Sequence, residues 1–312
     1  MSYNFIRKIS NLQLMQSKLN NDVFLKKVKD NYISKGKALL TFRNDEATVY
    51  YNGNQLCNTS FKLGKTPQGE LTVYEKYLPL IRSAHLGSKK SSKNVTEEQW
   101  RKETGINNYS FEDVLPEILD NISKDSSPES TQVSKLYKFS PLNLDAPAER
   151  EIILLDVEAA FAKTGEKTER IDAVFYHTKE HRLMFIEVKR LSDGRIQEKD
   201  GNTAEVIKQL SGYKKVIDSE KQNIVDQYNN VIKYYNDILS KNKIPLMKDC
   251  KDPLLGLLLV EFTSQNKDKE QKKKAEEILA KNGMGIYSIG NAENVKDETL
   301  AKIYSTFLKL PK

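Results

Sequence analysis

The sequence predicts an α/β protein, a mixed sheet flanked by helices and preceded by a smaller α+β module. Three observations carry that prediction. Segments of helical and strand periodicity alternate through residues 133–312. A continuous apolar run at 254–262 has the length of a central strand covered on both faces. The first half holds a cluster of short strand patterns around an Asn-Gly pair.

In chain order, residues 38–42, 47–51 and 55–57 are rich in branched and aromatic side chains and read as strands. Asn52-Gly53, between the second and third, is a hairpin signal because both residues tolerate positive φ. A shorter strand follows at 70–74, and residues 75–124 look mainly helical around a polar interruption at 87–93. The small polar residues of 124–132 read as a linker, which puts an N-terminal module at 1–124 and the main domain at 133–312. Residues 147–163 are apolar on most sides (Ile152, Leu154, Leu155, Val157, Ala159, Phe161) and predict a largely buried helix. Residues 170–176 and 182–189 are paired strands across a polar turn. Residues 203–217 form an amphipathic helix, and 220–240 a longer one with Ile224, Tyr228, Val231, Tyr235 and Ile238 at helical spacing. A charged helix (267–281), a strand (285–289) and a last helix (297–308) follow the apolar strand.

Composition narrows the chemistry. With 50 Lys and Arg against 43 Asp and Glu, the net charge of +7 favours a polyanionic partner. Two cysteines, Cys57 and Cys250, exclude a disulfide scaffold and a four-cysteine metal site. Three histidines, His85, His177 and His181, argue against histidine-rich zinc hydrolysis. The N-terminus lacks a signal-type apolar stretch, and the apolar segment 253–262 is about half the length of a membrane helix. The expectation is a cytoplasmic protein without a membrane partner, whose hydrolytic chemistry falls to carboxylates and lysine.

One segment gathers such groups: Arg170-Ile-Asp172-Ala-Val-Phe-Tyr176, a turn, then Leu183-Met-Phe-Ile-Glu187-Val-Lys189. Strand side chains alternate, so Glu187 and Lys189 share a face and Val188 points to the other. Charged groups ending two apolar strands are costly to bury unless they pair or bind an ion. A hard divalent cation held by the Asp172 and Glu187 carboxylates and the Val188 carbonyl fits magnesium chemistry, with manganese as a substitute. Lys189 is placed to orient a water or to neutralise charge on phosphate oxygens.

This pattern resembles the PD-(D/E)XK nuclease superfamily, in which an acidic residue on one strand precedes Glu-x-Lys on the next. Gln209 and Tyr213, four apart on one helical face, resemble the Gln-x-x-x-Tyr motif of the RecB-like branch. The resemblance covers roughly residues 147–262 and departs from the pattern at Ile171, where proline is common. It implies a restriction-endonuclease-like sheet and metal-dependent hydrolysis of phosphodiester bonds, in DNA before RNA. It implies that Gln209 organises the metal side, that Tyr213 with neighbouring Lys214 and Lys215 meets the nucleic-acid backbone, and that a helix glutamate assists. Glu151 is the first choice for that glutamate and Glu158 the second. A restriction or phage-defence role, as a homodimer or beside a separate motor subunit, follows from the resemblance alone. The alternative is a non-catalytic nucleic-acid-binding protein that retains the fold.

Other features have plainer readings. Gly64-Lys65-Thr66 lacks the rest of a phosphate-binding loop, and Glu270-Gln271-Lys272 repeats Glu-x-Lys within a solvated charge run. His177 and His181 flank a turn, Lys89, Lys90 and Lys93 form a basic loop, and Tyr228, Tyr234, Tyr235 and Trp100 read as core.

Overall fold

The computed structural model describes residues 3–62, 68–79, 93–105, 107–147, 149–163, 169–198, 203–239, 242–249, 251–262 and 265–309. Gly64-Lys65-Thr66, Lys89 and Lys90 lie outside these residues. The chain divides into two compact units. One comprises Ile6–Lys138 with Leu142–Asp145, the other Met1–Phe5, Phe139–Pro141 and Ala146–Lys312.

A two-residue strand, β1 (Tyr3–Asn4), belongs to the second unit. The first unit opens with helices α1 (Leu12–Asn21) and α2 (Val23–Val28), each started by a capping side chain: Asn11 accepts from the Leu14 N–H and Asp22 from the Leu25 N–H. Its sheet is an antiparallel meander of β2 (Ala38–Arg43), β3 (Glu46–Tyr51), β4 (Asn54–Ser60), β5 (Glu70–Tyr74) and β6 (Asn94–Val95). Both tight turns, Asn44-Asp45 and the expected Asn52-Gly53, carry positive φ throughout, the geometry whose twist matches that of paired strands. Helices α3 (Glu97–Thr104), α4 (Leu115–Asp125) and α5 (Pro128–Ser134) pack with it, and Trp100 is fully buried, as expected of core.

The expected linker at 124–132 is instead helical. Ser127 caps α5, with proline at its first position, where no N–H is missed. The segment is also anchored on the hairpin turn: the Ser126 hydroxyl donates to the Asn52 carbonyl at 2.7 Å and that of Ser134 to the Asn52 side chain at 3.3 Å. A Cβ on Gly53 would lie 2.3 Å from the Ser130 carbonyl oxygen, so the turn needs glycine for space as well as for φ. The small polar residues that suggest a linker are the ones that let these backbones approach.

The second unit carries a mixed sheet in the order β1-β7-β8-β9-β10-β11, with β7 (Ile152–Lys163), β8 (Glu169–His177), β9 (Arg182–Arg190), β10 (Leu254–Val260) and β11 (Gly285–Ser288). Strands β7, β8 and β9 form an antiparallel meander; β10 runs parallel to β9 and β11. Helices α6 (Glu205–Ser219) and α7 (Lys221–Ile238) connect β9 to β10, and α8 (Asn266–Lys281) and α9 (Asp297–Leu308) complete the unit. Tyr228, Tyr234 and Tyr235 of α7 are buried, as expected of core.

The predicted helix at 147–163 is a strand. Its register on β8 shifts between Leu154 and Asp156, so a bulge inserts one residue and breaks the alternation. Both faces are covered, leaving Ile152 through Val157 all buried, and an unbroken apolar run with a phase slip imitates a buried helix.

Alternation also assigns the helices to faces. Glu187 on β9 meets α6 through Gln209. Gly256 of β10 is aligned with Ile186, on the other face, and a Cβ there would lie 2.3 Å from the Phe307 ring of α9. The sheet is therefore sandwiched, with α6 over the charged face and α9 pressed onto a glycine on the reverse.

Candidate active site

The β8–β9 ladder runs from His177↔Arg182 to Ala173↔Ile186 and stops one residue before Asp172 would face Glu187. The Asp172 carboxylate replaces the next rung by accepting the Val188 N–H at 2.7 Å. The strands part where the acids lie, and the backbone donor exposed by the parting is satisfied by one of them.

Glu187 and Lys189 are each 1% exposed, and Asp172 9%. The Lys189 ammonium donates to Glu187 Oε1 at 2.6 Å and to the Val188 carbonyl at 3.2 Å. Gln209 donates to the same Glu187 oxygen at 2.9 Å and to the Tyr213 hydroxyl at 2.8 Å. The Tyr213 hydroxyl in turn donates a hydrogen bond to the Arg170 carbonyl. One turn of α6 thus clips both strands, β9 at Glu187 and β8 at Arg170. Burial pushes the Asp172 carboxyl well above the usual carboxylate range, and the Glu187 charge pushes it further; Lys189 and the Val188 N–H oppose the shift.

Asp172, Glu187, Lys189, Gln209 and the Val188 carbonyl come together as the sequence suggests. Tyr213 is turned inward: it is 1% exposed and its hydroxyl bonds Gln209 and the Arg170 carbonyl. Lys214 and Lys215 are exposed on α6, and Lys214 is paired with Asp218 at 2.9 Å.

Glu151 is misplaced by the helix reading. Its carbonyl accepts the Thr178 N–H beyond the far end of β8, six residues from Asp172 and roughly 20 Å away at strand spacing. There it pairs with Lys179, which holds its carboxyl below the usual range. Glu158 is the glutamate beside the site. It falls between the pairs Val157↔Ala173 and Ala159↔Ile171, directly across from Asp172, with a left-handed φ of 52°. Its carboxylate lies 3.6 Å from Arg170 and adds to the upward push on Asp172. Reading this segment as a helix hid the rung, which exists only in the β7–β8 pairing. Missed entirely is Asp156, buried two residues back along β7 and bound by the Tyr228 hydroxyl at 3.2 Å.

The remaining polar candidates are structural. His177 lies against the Tyr304 ring, His181 bonds the Tyr176 hydroxyl at 2.9 Å, and Lys93 pairs with Glu103. Among the described residues no group of three or more His, Cys, Asp or Glu side chains converges as metal ligands, and no helix is long and apolar enough to cross a membrane. No protein-family model, curated protein or solved structure matches the chain.

Proposed function

We propose that the chain is a magnesium-dependent nuclease of the PD-(D/E)XK type, acting on DNA. One observation carries the reading: two carboxylates and a lysine from adjacent strands meet where those strands part, cross-linked by a glutamine from the next helix. Burying such groups costs several kcal/mol per ion, on the order of the stability of a whole domain when summed, and a core of this size has no structural need for them. The mixed sheet, three antiparallel strands followed by helices and a parallel strand, supports this reading.

The donors suit magnesium in kind. Two carboxylates and a carbonyl are hard oxygen ligands of the kind magnesium takes. When bound, such an ion supplies positive charge at a phosphate and lowers the pKa of a water. Asp172 and Glu187 would hold it. Gln209 fixes the aim of Glu187, Lys189 would contribute positive charge toward the developing phosphorane oxygens once the ion is in place, and Glu158 stands at the margin beside Arg170. Lys215 on α6 offers a phosphate contact, and Lys214 a weaker one because Asp218 already pairs with it. A restriction or defence role, a second subunit and a separate motor extend the same reading.

The test is incubation of linear, circular and single-stranded DNA, and of RNA, with Mg²⁺ or Mn²⁺. Cleavage should appear with metal, stop with chelator and fall on the order of 10²- to 10³-fold in Lys189→Ala. Wild-type cleavage by that variant would remove the mechanism. The burial of Glu187 and Lys189 favours a second reading, a binder without catalysis; nucleic acid bound yet uncut under all these conditions would select it.

A further inference from the structure

Lys189 sits on the oxygens assigned to the metal. Its ammonium contacts one oxygen of Glu187, Oε1, at 2.6 Å and the Val188 carbonyl at 3.2 Å, and so touches two of the three groups of the proposed cation centre. Both side chains of the pair are 2% exposed, so solvent does not screen what happens between them. A divalent cation and an ammonium cannot share one carboxylate oxygen at such range, because their repulsion grows steeply in a buried setting. Glu187 has a second, neutral donor in Gln209 at 2.9 Å, anchored through Tyr213 to Arg170. A neutral amide coexists with a bound cation; a charged amine does not.

We infer that Lys189 is the resident cation of the resting site, exchanging with the incoming divalent ion while Gln209 keeps Glu187 in place. This rests on the reading of the site as a divalent-cation centre. Entry of the ion moves the ammonium off Glu187 Oε1 and the Val188 carbonyl. The four-carbon stem lets it swing without disturbing the strand. The exchange also selects by charge. A monovalent ion brings no more charge than the ammonium it would replace, whereas magnesium or manganese brings twice as much.

The measurement is Mn²⁺ affinity, read from the electron-paramagnetic signal of the free ion, for the wild type and for Lys189→Met. Removing the competitor should tighten binding about tenfold or more. Equal or weaker binding by the folded variant, or no binding by either protein, overturns the inference. If Lys189→Met does not fold, the wild type still decides. The Lys189 ammonium resonance, assigned through its side-chain carbons by ¹H–¹⁵N NMR, should shift or vanish as Mg²⁺ is added. An unchanged resonance at saturating Mg²⁺ refutes the exchange. Neither readout uses catalysis. Exchange without hydrolysis of any nucleic acid keeps this inference and removes the nuclease; hydrolysis with an unmoved Lys189 does the reverse.

Discussion

The two sheets bury polar side chains in opposite ways. The N-terminal meander takes in small neutral hydroxyls. Thr41 is fully buried and donates to the Thr48 carbonyl at 3.3 Å, and Thr48 in turn reaches Asn58. The Thr41 and Thr48 hydroxyls are bonded to their own neighbours and carry no charge, so their burial is cheap. The C-terminal sheet takes in Asp156, Asp172, Glu187 and Lys189. There two acids and one lysine share a buried site, the lysine bonded to Glu187, and Asp172 is driven toward its protonated form. The difference teaches where stability has been given up. A hydroxyl in the first sheet serves the fold, whereas burial of the acids in the second opposes it.

The largest test of that contrast is Asp172→Asn. The amide oxygen can still accept the Val188 N–H, while the repulsion with Glu187 disappears. In chelator the melting temperature should rise by about 2–6 °C, and cleavage should fall at least about a hundredfold. A variant less stable than the wild type in chelator would break the comparison, because the acid would then be serving the fold. The counterpart in the first sheet is Thr41→Val, which removes one neutral bond and should cost about 1 kcal/mol, measured by urea unfolding. A loss several times larger would mean that the meander is also under polar strain.

The smallest effect lies at the other end of the β8–β9 hairpin. Burial holds His177 below its ordinary value of 6.5, which favours the neutral ring. The unfolded chain therefore takes up this proton first as the medium is acidified. Stability is complete above the ordinary value and is lost as pH falls from there through the lowered folded value. His177→Gln should flatten the urea midpoint between pH 7.5 and pH 5 by a few tenths of a molar, on the order expected for one partly exposed group. Identical slopes would assign the acid sensitivity to other groups.

Legibility followed the range of the interactions. The hairpin, its Asp172 and Glu-x-Lys, and the Gln209/Tyr213 helix were readable because each depends on spacing within a few residues. Strand β7 was not, since a bulge shifts its phase between Leu154 and Asp156 and removes the period that marks a strand. The same error carried the assisting glutamate to Glu151, because the rung that sets Glu158 across from Asp172 exists only once β7 is paired. The inward turn of Tyr213 was hidden for a related reason: its acceptor, the Arg170 carbonyl, is a backbone atom 43 residues away. The stretch 124–132 resembled a linker because its small side chains suit close packing on Asn52-Gly53 as well as they suit solvent.

The clip from α6 sets an order of assembly during synthesis. Asp172 and Glu187 leave the ribosome first, Gln209 and Tyr213 some twenty residues later, and β10, the parallel neighbour of β9, only after residue 254. Until those later segments arrive, the strand bearing Glu187 and Lys189 is an open edge with its acids wet and unaimed. A nascent or prematurely ended chain thus carries Asp172, Glu187 and Lys189 without the contacts from Gln209 and Tyr213 that aim them.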